Sequence, residues 1–377
     1  MDEVRHAAAR PLVRSPAMAV VEPFRAVRYS GAAGPLSDLV APPYDAVTSD
    51  EREQLFTRSP YNVVHLTLPE SADEAGALYR GWLEEGILAR EDEPAAWLLV
   101  EDYVGPDGVA RERRGVVVSL AARPYESGNV LPHERTHRRI REERLRLLRA
   151  TRVQPEPIFL LFDAPLPLDT PERDADLRVD GSRLWRLPDF DLAPLGDAGL
   201  LIADGHHRYE SAIELGDELS PDGAKIMALV VATTDPGLHV FPTHRVFSGR
   251  PDLGALRDGT PFGSLDEALA ALAAAPRGRA GAVAYRTGDV ALVDGREDEL
   301  DVELVDRFGL DGISYTPDAG AAVAAVDGGE AGIAFLVRAP RVEDVFAVAR
   351  RGERMPPKST YFFPKPLSGL LFHPVEP

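Results

Sequence analysis

Apolar residues along this chain recur at two spacings, and each spacing predicts a different element. Short unbroken apolar runs bounded by turn residues predict buried strands over 158–162, 200–203, 225–234 and 332–337. Runs rich in β-branched and aromatic residues predict strands over 24–29 and 62–68, and two strands over 95–103 and 113–120 joined by Gly105-Pro106-Asp107-Gly108. A hairpin is expected over 280–293. Helical spacing appears over 49–58, over 72–89 with Leu78, Trp82 and Leu83 on one side, and over 265–275, 303–308 and 342–350. The stretch 132–152 suits a helix that buries only Ile140, Leu145 and Leu148, and the run 200–203 leads through a tight turn into a helix reaching Leu215. Helices and strands interleave without a regular βαβ count, so the expected class is α+β, a mixed sheet with flanking helices.

Composition narrows the functional classes. The 377 residues carry a formal charge of −19, which disfavours a double-stranded nucleic acid surface. The longest apolar run, 268–275, is too short to span a bilayer, and Arg10, Pro11, Arg14 and Pro16 interrupt any leader-like segment, so a cytoplasmic address and no membrane partner are expected. The absence of cysteine removes thiolate chemistry and disulfides. Lysine is confined to Lys225, Lys358 and Lys365. Between His133 and Arg152 stand eight arginines and three glutamates, a local balance of +5 in an acidic chain.

Four segments can carry chemistry. In Asp204-Gly205-His206-His207-Arg208 a strand delivers a carboxylate to a turn, glycine lets the backbone approach a ligand, and a helix begins where its first amides have no partner. Such a terminus attracts phosphate, with His206, His207 and Arg208 as added donors. The second segment, Pro132-His133-Glu134-Arg135-Thr136-His137, literally matches the helical zinc-protease pattern, but Pro132 argues for a loop. Glu134 is then a candidate general base and Arg135 an anion ligand, while a metal-dependent hydrolase using His133 and His137 stays open. The third, Arg354 to Pro366, holds Lys358 and Lys365 beside a Ser-Thr pair and an aromatic cluster, and its Lys358-Ser359-Thr360 run can bind phosphate through charge and hydroxyls. The fourth, Ala41-Pro42-Pro43-Tyr44-Asp45, holds Tyr44 and Asp45 rigidly for substrate, with His133, His244 and Arg245 as further substrate candidates.

Taken together and in this order, Ala41-Pro42-Pro43-Tyr44-Asp45, Asn62-Val63-Val64, Pro132-His133-Glu134-Arg135-Thr136, Ala203 to Tyr209, Pro242-Thr243-His244-Arg245 and Met355 to Phe362 resemble the family called domain of unknown function 1015. Asp204 to Arg208 is also similar to the phosphate-binding signature of the ParB/sulfiredoxin superfamily, which includes a free serine kinase. That resemblance implies a ParB/sulfiredoxin-like core over residues 21–250 with insertions, preceded by a flexible arm over 1–20. A C-terminal α/β region over 251–377 would pack its tail back on the core. It implies a nucleotide, ATP or ADP, on Gly205 to Arg208, and a carboxylate base. Sulfiredoxin chemistry needs a cysteine that this chain lacks. The expected function is a nucleotide-dependent phosphotransferase acting on serine or a similar small hydroxyl metabolite, with Mg2+ and with Glu134, Asp204 and His206 catalytic. A non-catalytic nucleotide-binding module is the alternative. The oligomeric state is not read from the sequence.

Overall fold

The computed structural model describes residues 20–196, 199–219, 224–249, 259–309 and 311–375. The arm expected over 1–20 lies outside them, apart from Val20. The class is α+β, built on two mixed layers of sheet and helix.

The large sheet runs Val130–Leu131, Leu200–Asp204, Ile158–Phe162, Lys225–Ala232, Ala110–Ala121, Ala96–Val104, Ser182–Leu187, Leu177–Val179, with Val21–Glu22 also pairing on Ala110–Ala121. Two pairings are parallel, Leu200–Asp204 with Val130–Leu131 and Lys225–Ala232 with Ile158–Phe162; the others are antiparallel. The apolar runs are buried on both faces because side chains alternate across a strand. Phe159, Leu161, Leu201, Ala203, Met227, Leu229 and Val231 face one core. Ile158, Leu160, Leu200, Ile202, Ile226, Ala228 and Val230 face the other, beneath Tyr209 and Ala212 of the helix His206–Leu219.

A second, wholly antiparallel sheet runs Thr260–Pro261, Asp289–Glu297, Arg279–Arg286, Ile333–Val337, His244–Phe247, Ile313–Thr316. Helices Leu265–Ala274 and Ala319–Asp327 cover one face and Asp301–Asp306 the other. The chain then returns. Val345, Phe346 and Ala349 of the helix Val342–Arg350, together with Phe362, Leu370 and Leu371, complete the core of the large sheet, and Tyr361–Phe363 pairs with His239–Phe241.

Three expectations need correction. Residues 62–68 form no strand; they hold the helical turn Val64–Thr67. Buried Asn62 decides this. Its Oδ1 accepts from the Val64 amide at 2.9 Å and its Nδ2 donates to the carbonyls of Asp38 and Val40 at 2.7 and 3.2 Å, local bonds that outweigh a β-branched preference. The helix begun at Ala72 stops at Glu84, because Gly86 takes φ +71° and turns the chain into the strand Leu88–Arg90. The basic helix spans only Arg138–Thr151, and residues 132–137 precede it as loop apart from the helix-capping His137.

Candidate functional site

The site is a corner where five distant segments meet at the start of the helix His206–Leu219. The strand Leu200–Asp204 ends in Asp204, and Gly205 follows with φ +98°. A Cβ at Gly205 would stand 2.7 Å from Ile158 Cγ2 and 3.1 Å from Arg208 Nη2, so both conformation and space exclude a side chain. The first bond to close is Tyr209 N to Gly205 O at 2.9 Å. The amides of His206, His207 and Arg208 have no carbonyl partner among the described residues.

Charge is arranged in a chain of pairs. Asp204 Oδ2 accepts from Arg208 Nη2 at 2.7 Å and its Oδ1 lies 2.8 Å from Lys365 Nζ, which also pairs with Asp45. Arg208 Nη1 donates to Pro157 O at 2.6 Å and lies 3.5 Å from Glu156 Oε2. Buried Glu156 in turn accepts from Tyr44 N at 3.1 Å and Ser368 Oγ at 2.8 Å. The Arg144 guanidinium lies over the Tyr44 ring at 4.2 Å. Burial alone would raise the Asp204 carboxyl, but Lys365 and Arg208 hold it down at about 2. Burial works against the charge of Lys365, yet Asp204 and Asp45 raise it. Asp204 is therefore a fixed anion and a poor proton acceptor at neutral pH.

The loop before the basic helix docks on the two histidines. His133 N donates to His206 Nε2 at 3.3 Å, and His137 N donates to His207 Nε2 at 2.8 Å. Both imidazoles thus accept through Nε2, which leaves Nδ1 as the protonated nitrogen of each neutral ring. Burial, reinforced by His133, pushes His206 well below its ordinary value, so it stays uncharged. His133 itself is buried, with Nδ1 2.7 Å from Ile202 O and Nε2 3.0 Å from Thr360 Oγ1. The two histidines of the zinc-protease pattern lie before the helix and bind different partners. Among the described residues no group of three or more His, Asp or Glu side chains is placed to hold a metal.

Of the candidate residues the corner brings together Tyr44, Asp45, His133, Glu134, Asp204, Gly205, His206, His207, Arg208 and Thr360, and several of them are engaged in other contacts. Ser359 spends its hydroxyl on Pro356 O at 2.6 Å and Thr360 spends its own on His133; these residues dock the tail. The Lys358 amide donates to Glu134 Oε1 at 3.2 Å while its side chain is exposed, and Arg135 is exposed and forms no ion pair among the described residues. His244 and Arg245 do not join the corner. They sit in the second sheet, where His244 Nδ1 accepts from Val337 N at 3.2 Å and Arg245 Nη1 donates to Thr243 O at 2.5 Å. Three participants were not among the candidate site residues, although two of them lie in the segment Arg354 to Pro366 that the sequence singles out. Glu156 sits between two prolines, Lys365 comes from the far tail, and Arg354 is close enough to lower both His133 and His206 while holding no carboxylate among the described residues.

Comparison with solved structures gives weak likenesses. A free serine kinase in complex with AMP aligns with 19% identity over 69% of this chain and 91% of that one, at a TM-score of 0.43. A conserved hypothetical protein from Pyrococcus furiosus aligns at 19% over 65% and 90%, TM-score 0.39. SbnI with C-terminal truncation from Staphylococcus aureus aligns at 12% over 65% and 82%, TM-score 0.40. Likeness of this degree says nothing about shared chemistry. No curated protein matches significantly. The profile of one family covers well over half of the chain, residues 21–260, which span every segment of the corner except the tail: the chain belongs to the family described as "Protein of unknown function (DUF1015)".

Proposed function

We propose that the chain is a nucleotide-dependent phosphotransferase acting on a small hydroxyl metabolite. The observation that carries this reading is the run of three unpartnered amides at His206 to Arg208, at the positive end of a 14-residue helix. The neutral imidazoles of His206 and His207, on the same first turn, add Nδ1–H donors, and the Arg354 guanidinium adds positive charge close enough to act on His206. A phosphate held there exchanges water for fixed dipoles, which favours charge developing on its oxygens.

The proton acceptor is Glu134. It hangs from the docked loop near His133 and His207, and among the described residues it receives only the Lys358 amide. In the transfer step the acceptor oxygen forms a bond to phosphorus as the bond from phosphorus to the leaving nucleotide oxygen breaks. The acceptor's hydroxyl proton goes to Glu134. Asp204 has a positioning role, because its carboxylate orients Lys365 and Arg208. The Mg2+ expected from the sequence finds no protein site among the described residues, since Asp45 and Asp204 are already bridged by Lys365. No step is assigned to it.

Glu134→Gln keeps the amides and removes the base. Turnover of ATP or ADP with a pool of hydroxyl metabolites should fall about 100- to 10,000-fold while nucleotide affinity is unchanged. Nucleotide binding by the wild-type chain without turnover on any acceptor would leave a binding module instead.

A further inference from the structure

The loop that carries Glu134 is fastened unequally at its two ends. Residues 133–137 contain no apolar side chain, so hydrogen bonds rather than burial set where it sits. The inner end is His133, which is 1% exposed. Its amide donates to His206 Nε2 at 3.3 Å and its carbonyl accepts from Met355 N at 2.8 Å. Its ring nitrogens meet Ile202 O at 2.7 Å and Thr360 Oγ1 at 3.0 Å. A strand, a helix and the tail thus hold this end together. The outer end, Thr136 and His137, docks on the helix His206–Leu219. Thr136 Oγ1 donates to Glu210 Oε2 at 2.6 Å, and His137 N donates to His207 Nε2 at 2.8 Å.

The two outer acceptors respond differently to a proton. Glu210 is also held by Arg141 Nη1 and the Tyr125 hydroxyl, each at 3.4 Å. A neutral imidazole accepts through one nitrogen alone, and an imidazolium carries N–H on both and accepts nothing. A proton on His207 Nε2 therefore sets two donors against each other across 2.8 Å. His206 makes the same kind of bond, but burial, with His133 beside it, keeps it uncharged. His207 is only partly buried. Burial and the His137 ring stacked 6.1 Å away lower it. Glu210 on its own helix, Glu134 on the loop and Asp45 on the proline-rich loop raise it, and Arg141 of the basic helix meets this group through Glu210. Its proton is taken up below the ordinary imidazole value.

We propose that His207 is the positioning residue of the Glu134 loop: its neutral Nε2 fastens the outer end through the His137 amide, and a proton on that nitrogen releases it. Release leaves Glu134 hinged on His133 alone, whereas a base must stand within hydrogen-bond reach of the proton it takes. As the device that sets the base, this rests on the phosphotransferase reading and deepens it; as a docking contact it does not.

The test follows hydrogen exchange at the His137 amide in the full chain without nucleotide, corrected for the intrinsic effect of pH. Between about pH 7.5 and about pH 5 the wild type should lose protection there by roughly fivefold or more, while the strand Ile158–Phe162 keeps its own. His207→Ala lacks the acceptor at every pH and should exchange as fast at about pH 7.5 as the wild type does in acid. In His207→Gln a carboxamide oxygen that takes no proton in this range stands in for Nε2, so the loop should stay protected at about pH 5. The proposal is overturned if the wild type loses no protection in acid, if the core strand loses the same factor, if His207→Ala is as protected as the wild type at neutral pH, or if His207→Gln loses protection in acid as the wild type does. Exchange needs no turnover. A loop that behaves as stated in a chain binding neither ATP nor ADP refutes the phosphotransferase and keeps the docking role, whereas turnover with a loop indifferent to His207 refutes the docking role alone.

Discussion

Two histidine–arginine pairs, His207-Arg208 and His244-Arg245, follow similar patterns in the sequence and meet opposite fates in the fold. Arg208 keeps a side-chain exposure of 13% and faces two carboxylates, Asp204 and Glu156. Arg245 is wholly buried, its Nε stands 3.6 Å from Asp306 Oδ1, and its Nε and Nη2 have no hydrogen-bond partner. Burial lowers Arg245 and raises Asp306, so that pair is strained electrostatically. The difference shows that residue type does not make a site. The first pair follows a glycine turn and opens a helix; the second lies inside a strand whose backbone amides are spent on neighbours.

The comparison can be broken most forcefully by removing each arginine. Arg208→Met leaves Asp204 and Glu156 short of a partner and should cost about 3–5 kcal/mol, read as a fall in the urea midpoint. Arg245→Met removes two orphaned donors with the charge and should change stability by no more than about 1 kcal/mol. Equal losses would show that both pairs are structural in the same sense. Glycines give a second contrast. Gly205→Ala meets Ile158 and a disfavoured φ and should cost about 2–4 kcal/mol, while Gly278→Ala in the turn before the strand Arg279–Arg286, with nothing within 4 Å, should stay within about 0.5 kcal/mol.

Acid sharpens the contrast by smaller steps. Burial keeps His133, His206 and His244 below their ordinary values, His244 at about 4, so the unfolded chain binds protons first and stability declines as pH falls below about 6.5. Asp204 adds a later stage. Its folded value of about 2 lies below the unfolded one, so its contribution, roughly 2 kcal/mol, is present above about pH 4 and is lost as pH falls toward 2. Urea midpoints measured against pH should show this last stage in the wild type and not in Asp204→Asn.

Much of this was legible because local chemistry and fold agreed. Apolar runs such as Ile158–Phe162 have no alternative to a buried strand, and Asp204 to Arg208 carries turn, cap and donor in five residues. The zone 62–68 misled because a single buried asparagine overrode its β-branched composition. Glu156, and the part that Lys365 plays, were invisible for another reason. Their importance lies in partners 52 and 161 residues away, Arg208 and Asp204, and spacing along the chain encodes neither contact. Pro155-Glu156-Pro157 was the one available hint, a carboxylate held rigid on both sides.

The chain leaves the large sheet after Ala232, builds an entire second sheet, and only then returns with Thr360 to brace His133 and Lys365 to bridge Asp45 and Asp204. A polypeptide halted before residue 360 would own every strand of the large sheet yet lack the cation that knits its chemical centre and the aromatic lid over its core. The corner is thereby closed from a segment that follows the whole second sheet in the chain: residues 360–365 act as its keystone, and without them Asp45 and Asp204 lose the cation that bridges them.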